Sequence, residues 1–266
     1  MSKLVVVRGG GDLGSGVIAR LWRAGLQPVV LERPDPIAVR RTVAFAEAIW
    51  DGFARIEEIR AVHVDSPAAA VDAISRDLVP VLVDPAAATL DALKPVALVD
   101  AIMAKRNTGT RRDMAPLVVA LGPGFSAGRD VDAVIETNRG PHLGRVLWLG
   151  AAEPDTGVPG RVAGHARARI IRAPADGIVE TVASIGERIV TGDVVARVNG
   201  IEVRAEIDGV LRGLIRTGLR VSEGMKLGDV DPRGDPALCR LISDKALAIG
   251  GGALEAILAD VAGRRP

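Results

Sequence analysis

Gly9, Gly11 and Gly14 stand between an apolar run at residues 4–7 and the helical pattern Val17, Ile18, Leu21, Trp22. This G-x-G-x-x-G spacing suits a strand that turns tightly, lets the backbone approach a phosphate, and packs the following helix on the strand. Free N–H groups at the helix start, around Asp12, then face the anion. Glu32 closes a second apolar run at 29–31, roughly 20 residues beyond the loop, where a carboxylate can hold the two hydroxyls of a ribose. Arg33 beside it leaves NAD and NADP both open. The competing reading is a purely structural turn, since any tight strand-to-helix connection favours glycine.

A second glycine-rich loop, with Gly122, Gly124 and Gly128, follows the apolar run 117–121. Two such loops at the carboxyl edge of one parallel sheet would form a composite cofactor site. Lys105 and Asn107 follow the run 96–99, and Glu136 and Arg139 end the run 131–135, so each pair can present charge or amide groups to a phosphate or carboxylate. Arg40 and Arg41 are further phosphate candidates, if a helix over 36–50 carries one of them toward the first loop. Candidate catalytic groups are Lys105 and Cys239. Arg240 and Lys245 lie near Cys239 in sequence, and cations favour a thiolate, although a buried inert cysteine is the ordinary expectation. No Ser/His/Asp triad, zinc-ligand pair or Walker lysine can be assembled from the spacing, so no metal site is expected. His142 reads as an ordinary surface residue.

These groups need elements to hold them. Apolar runs at 4–7, 29–31, 60–64, 79–83, 96–99 and 117–121 alternate with helix-compatible stretches at 36–50 and 67–77, each starting near a proline. The pattern predicts an α/β fold with a mostly parallel sheet, read as a Rossmann-like nucleotide-binding domain over residues 1–165. Runs at 131–135 and 145–149 add closing strands. From about residue 151 Pro154, Gly157, Pro159, Gly160 and Gly164 mark a boundary. Residues 176–192 then repeat as 208–224 with aspartates, glycines and arginines in register, which predicts paired hairpins joined near Asn199-Gly200 in a smaller all-β domain over 166–232. That repeat resembles the biotinyl/lipoyl barrel-sandwich module, but the nearest lysine to the central hairpin is Lys226, deep in the second copy, so no swinging arm is expected. Residues 233–266 read as C-terminal helices on either side of Gly250-Gly251-Gly252, packed on the core; the glycines serve a sharp turn or the close approach of another backbone.

Composition narrows the classes of function. The 266 residues carry a net charge of only +1, and aromatics are 2% of the chain, so recognition of nucleic acid by stacking has little to work with. A single cysteine excludes an intrachain disulfide. No apolar run approaches a membrane span, and the first strand begins almost at once, so a cytoplasmic protein without membrane association is expected.

Segments 7–16, 39–48, 99–105, 120–128, 134–140 and 242–246, taken together and in this order, resemble the YqeB-type family of selenium-dependent molybdenum hydroxylase systems. The resemblance covers nearly the whole chain. It departs at His142, where Pro141 intervenes after the Arg139-Gly140 pair and the family pattern places histidine directly. The resemblance implies an accessory protein that binds a nucleotide or the dinucleotide form of a molybdenum cofactor and helps mature or insert it. Its partner would be the molybdenum hydroxylase apoprotein, and a homo-oligomer fits the same role. The residues by themselves leave other readings open: an NAD(P)-dependent oxidoreductase, a selenium or sulfur carrier using Cys239, or a non-catalytic scaffold docking through the β module.

Overall fold

Valine-rich segments buried on both faces set the sheet. In β1 (Leu4–Arg8) all five residues are buried, as a central parallel strand requires. A computed structural model describes residues 3–157 and 160–265; Pro159 of the expected linker lies outside the described residues. After β1 come α1 (Asp12–Arg23), β2 (Gln27–Glu32), α2 (Ala48–Asp51), β3 (Phe53–Ile56), β4 (Ile59–His63), α3 (Pro67–Ser75), β5 (Val79–Val83), α4 (Leu90–Leu93) and β6 (Ala97–Asp100). Then follow β7 (Val118–Leu121), β8 (Ser126–Ala127), β9 (Ala133–Ile135), β10 (Val146–Leu147) and β11 (Gly150–Ala151). Eight further strands precede a last helix, α5 (Asp244–Val261). The chain divides into two compact units: Met1–Pro36, Ala44–Asp155 and Ile242–Pro266 form the first, Ile37–Val43 and Thr156–Leu241 the second.

The first unit is built on a nine-stranded sheet ordered β10-β9-β7-β6-β1-β2-β5-β4-β3. Its seven inner strands run parallel, while β3 and β10 close the two edges antiparallel. Leu4, Val6, Val29, Leu31, Leu98, Val118 and Val134 join one core cluster with α3 and α4 residues on one face. Strand alternation sends Val5 and Val7 to the other face, where α1 meets β1 and β2 and α5 meets β7, β9 and β10. Helices α1 and α5 are in backbone contact. A Cβ on Gly16 would lie 2.3 Å from the Ala246 carbonyl oxygen, and one on Gly250 would lie 2.3 Å from that of Gly16. One unbroken helix runs through Gly250-Gly251-Gly252, so of the two uses open to these glycines, close approach is the one observed.

The second unit contains β12 (Ile170–Arg172), β13 (Gly177–Thr181), β14 (Arg188–Ile189), β15 (Val194–Val198), β16 (Ile201–Arg204), β17 (Gly209–Leu214), β18 (Arg220–Val221) and β19 (Lys226–Asp231). They form two antiparallel four-stranded sheets, β12-β19-β17-β14 and β16-β15-β13-β18. Asn199 and Gly200, both at positive φ, make the two-residue turn between β15 and β16. The repeated aspartates brace each other's half: Asp176 accepts the Glu223 N–H at 2.7 Å, and Asp208 accepts the equivalent Thr191 N–H at 2.7 Å.

Two expectations are corrected. The combination of a Rossmann-like domain with a biotinyl/lipoyl-like barrel-sandwich is not what the chain forms. In the first unit β5 is inserted between β2 and β4, both edges are antiparallel, and only α1, α3 and α5 exceed four residues. The doubly wound order, with a helix after each strand, is absent among the described residues. The first unit is α/β with a mixed sheet, and the second is an antiparallel β unit. The helix expected over 36–50 is also replaced, by two single 3-10 turns and the four-residue α2. Ala44 is extended between the turns, the Phe45 N–H donates to Ser15 Oγ at 3.0 Å, and the Ala46 N–H donates to the Gly10 carbonyl at 2.9 Å. These donors bond to the glycine loop and its helix, and a continuous helix would have needed them internally.

Candidate functional site

At the carboxyl end of β1 the backbone turns at Gly9, φ +97°, a conformation that glycine adopts without strain. A Cβ on Gly14 would fall 2.1 Å from the Gly9 carbonyl oxygen, so this glycine lets α1 lie on the turn. Gly11 differs from both. It is the N-cap of α1 with ordinary φ, no side-chain cap, and no protein atom within 4 Å of where its Cβ would be. The space over the helix start is open.

Glu32, at the end of β2, accepts the Gly10 N–H on Oε2 and the Arg33 N–H on Oε1, each at 2.9 Å. The carboxylate is thereby oriented and still has lone pairs for further donors. Beside it, at the carboxyl ends of β1, β2, β5 and β6, lies a cavity of about 480 Å³ lined by Arg8, Gly9, Glu32, Arg33, Asp84 and Ile102 among others. Arg8 is 4% exposed; its guanidinium donates to Thr110 Oγ1 and, at 2.7 Å, to the Pro85 carbonyl, and it faces buried Asp100 at 3.7 Å. Burial works against ionisation of Asp84. The Thr89 hydroxyl and the backbone N–H groups of Thr89 and Ala88 outweigh it, with help from Arg8, and hold the carboxyl below its ordinary value.

The second glycine loop is shaped by its neighbours. Gly122 and Gly124 are left-handed, and a Cβ on Gly124 would meet the Arg106 backbone nitrogen at 2.6 Å. The loop thus lies against the segment that carries Lys105. Lys105, itself at φ +60°, pairs with Asp155 at 2.6 Å. Gly128 serves the turn after β8, its N–H bonded to the Val131 carbonyl at 2.8 Å. Asn107 closes its own turn, accepting the N–H groups of Gly109 and Thr110 at 2.8 and 2.9 Å. Glu136, 3% exposed, accepts the N–H groups of Asn138 and Glu153 at 2.6 and 2.8 Å. Arg139 makes a two-pronged pair with Asp244 at 2.9 and 3.1 Å.

Lys245, which follows Asp244 in the first turn of α5, belongs to the same neighbourhood, and its sequence position did not mark it as a site residue. Burial pulls its ammonium below the ordinary lysine value and Arg139 adds to this, against the pull of Asp12, Glu136 and Asp155. A signal for it did exist: a cation in the first turn of a helix runs against the helix dipole.

The first unit holds Gly9, Gly11, Asp12, Gly14, Glu32, Lys105, Asn107, Gly122, Gly124, Gly128, Glu136 and Arg139, but spreads them along the sheet from the end of β2 to the end of β9, four strands away; of them only Gly9 and Glu32 line the cavity. Arg40, Arg41 and Cys239 belong to the second unit. There Arg40 donates to the Leu238 and Leu241 carbonyls at 3.2 and 2.9 Å, and Arg41 to that of Leu214 at 2.7 Å. Cys239 is 2% exposed, and burial pushes its thiol up against the pull of Arg212 and Arg40, so it stays protonated. Among the described residues no group of three His, Cys, Asp or Glu side chains could hold a metal ion, and no helix is long and apolar enough to cross a membrane.

Over 256 residues the chain is 50% identical to YqeB of Escherichia coli strain K12, an uncharacterized protein, with 96% of the chain and 47% of YqeB aligned. The chain spans about half the length of that relative. No protein-family model matches the chain. Among solved structures, the ectoine utilization protein EutE (DoeB) of Ruegeria pomeroyi aligns over 85% of both chains at 11% identity and TM-score 0.26. An aspartoacylase family protein of Mesorhizobium loti aligns over 85% of this chain and 84% of its own, at 10% identity and TM-score 0.28. A succinylglutamate desuccinylase/aspartoacylase of Rhodobacter sphaeroides covers the same shares at 16% identity and TM-score 0.25.

Proposed function

We propose that the chain binds a nucleotide, or the dinucleotide form of a molybdenum cofactor, at the carboxyl edge of the nine-stranded sheet. The observation that carries this reading is the pairing of an open helix start at Gly11 with a fixed Glu32 carboxylate beside a cavity of about 480 Å³. That volume is in the range of small-molecule sites. A phosphate would lie over the N–H groups at the start of α1, and the ribose hydroxyls would donate to Glu32. The motif resemblance alone is the ground for placing this binding in a selenium-dependent molybdenum hydroxylase system. The chain would act there as an accessory protein that delivers or matures the cofactor for the hydroxylase apoprotein.

Calorimetry with AMP, NAD and a molybdopterin dinucleotide tests the reading. At least one should bind, and Glu32→Ala should weaken it by tenfold or more, the scale of losing hydrogen bonds to a charged acceptor. Wild-type protein that binds none of the three, and does not associate with the hydroxylase apoprotein, would refute it.

A further inference from the structure

Arg8 closes a strand whose other residues are all aliphatic, and it is 4% exposed where it lines the cavity. Taking a guanidinium out of water is costly unless its N–H groups find acceptors. Two of its nitrogens do. Nη1 donates to Thr110 Oγ1, the Thr110 hydroxyl donates in turn to buried Asp100, and Nη2 donates to the Pro85 carbonyl at 2.7 Å. Among the described residues Nε has no hydrogen-bond partner, and it is not sealed from solvent. The cavity is where an acceptor can reach it.

The surroundings select the kind of acceptor. Glu32, Asp35 and Asp84 line the same cavity, and Asp100 stands 3.7 Å from the guanidinium. The other cation there, Arg33, is taken by Asp35 in a two-pronged pair, both contacts at 2.8 Å. A phosphate or carboxylate placed in the cavity would thus meet more negative charge than positive. A carbonyl oxygen or a ring nitrogen carries no net charge and escapes that repulsion. Pro34, Pro85 and Ile102 add apolar wall against which a flat ring packs. Amino or ring N–H groups on the same heterocycle would find carboxylate lone pairs around it.

We propose that Arg8 is a specificity-determining residue of this cavity, whose Nε–H donates to an uncharged acceptor on a flat nitrogen heterocycle, a nucleobase or a pterin. The assignment rests on the nucleotide reading above and completes it: phosphate over the start of α1, ribose on Glu32, ring on Arg8. The bonds to Thr110 and Pro85 hold the guanidinium before a ligand arrives, so little side-chain freedom is lost on binding.

The deciding experiment is calorimetry of the full chain with AMP, pterin, adenine and ribose 5-phosphate, the last of which lacks the ring. Wild-type protein should bind AMP at least tenfold more tightly than ribose 5-phosphate. Arg8→Lys keeps a cation for Asp100 and has no Nε–H, so it should lose tenfold or more in AMP affinity and leave ribose 5-phosphate unchanged. Equal losses for the two ligands, the mark of a purely structural arginine, overturn the proposal, as does unchanged AMP affinity. Wild-type protein supplies a test that needs no variant: the Arg8 Nε–H proton resonance should shift with AMP and stay with ribose 5-phosphate, and a resonance indifferent to both also overturns it. Arg8-dependent binding of pterin or adenine, with no binding of either phosphate-bearing probe, would uphold the ring site and refute the nucleotide reading. Glu32-dependent AMP binding that ignores Arg8→Lys would do the reverse.

Discussion

Gly250 and Gly251 offer the same chemical change at adjacent positions of one helix, with opposite expected signs. Replacing an interior helical glycine by alanine contributes about 1 kcal/mol from backbone entropy. At Gly251 no atom lies within 4 Å of the added Cβ, so Gly251→Ala should stabilise the first unit by about that amount. At Gly250 the Cβ would lie 2.3 Å from the Gly16 carbonyl oxygen and 2.9 Å from Arg20 Cγ. Relieving the backbone clash needs α1 and α5 to separate by about 1 Å, a gap that forfeits a quarter to a half of the dispersion well for each contact along the seam. Overpacking of this kind costs about 1–3 kcal/mol. The propensity gain of about 1 kcal/mol offsets part of it, leaving Gly250→Ala up to about 2 kcal/mol less stable than wild type. The two variants should therefore melt roughly 2–12 °C apart, at about 2–4 °C per kcal/mol for a unit of this size. Trp22, Trp50 and Trp148 all lie in the first unit, so tryptophan fluorescence follows that unit alone. A Gly250→Ala protein that melts as high as Gly251→Ala would show that the helices are not in backbone contact.

Cys239 should resist dithionitrobenzoate in native protein and react on unfolding, since it is buried and its thiol is pushed up by desolvation; rapid native labelling would contradict its burial. Asp84 has a carboxyl held below its unfolded value, so its contribution is present above about pH 4 and is lost as the pH falls further. Asp84→Asn should flatten the acid limb of the fluorescence-detected urea midpoint between pH 6 and 3. A limb as steep as that of wild type would assign the acid sensitivity elsewhere.

Much of the sheet was legible because its strands are short valine-rich runs bounded by turn residues, and buried parallel strands carry that pattern in any context. The position of Glu32 was legible for the same reason: strand and loop lengths fix where an acid at the end of β2 must fall. Segment 36–50 was not legible. Its apolar spacing is helical, but Ser15 and Gly10 claim the Phe45 and Ala46 N–H groups, and no local pattern reports a hydrogen bond across thirty-odd residues. Strand order was hidden too, because β5 reaches its place between β2 and β4 through tertiary pairing. Lys245 was read only as a neighbour of Cys239 in sequence, whereas the fold sets it with Asp12 and Glu136.

The crossed aspartates of the second unit bear on how its two halves can change over time. Because Asp176 supports the loop at Glu223 and Asp208 the loop at Thr191, each half holds an acceptor that only the other half uses. A loop rewritten in one copy must keep its N–H in register with an aspartate in the other, so the copies are bound to diverge as a pair. Half of the repeat, expressed alone, would present its aspartate and its loop amide without their mates, and two such halves from separate chains could restore both bonds by exchanging places.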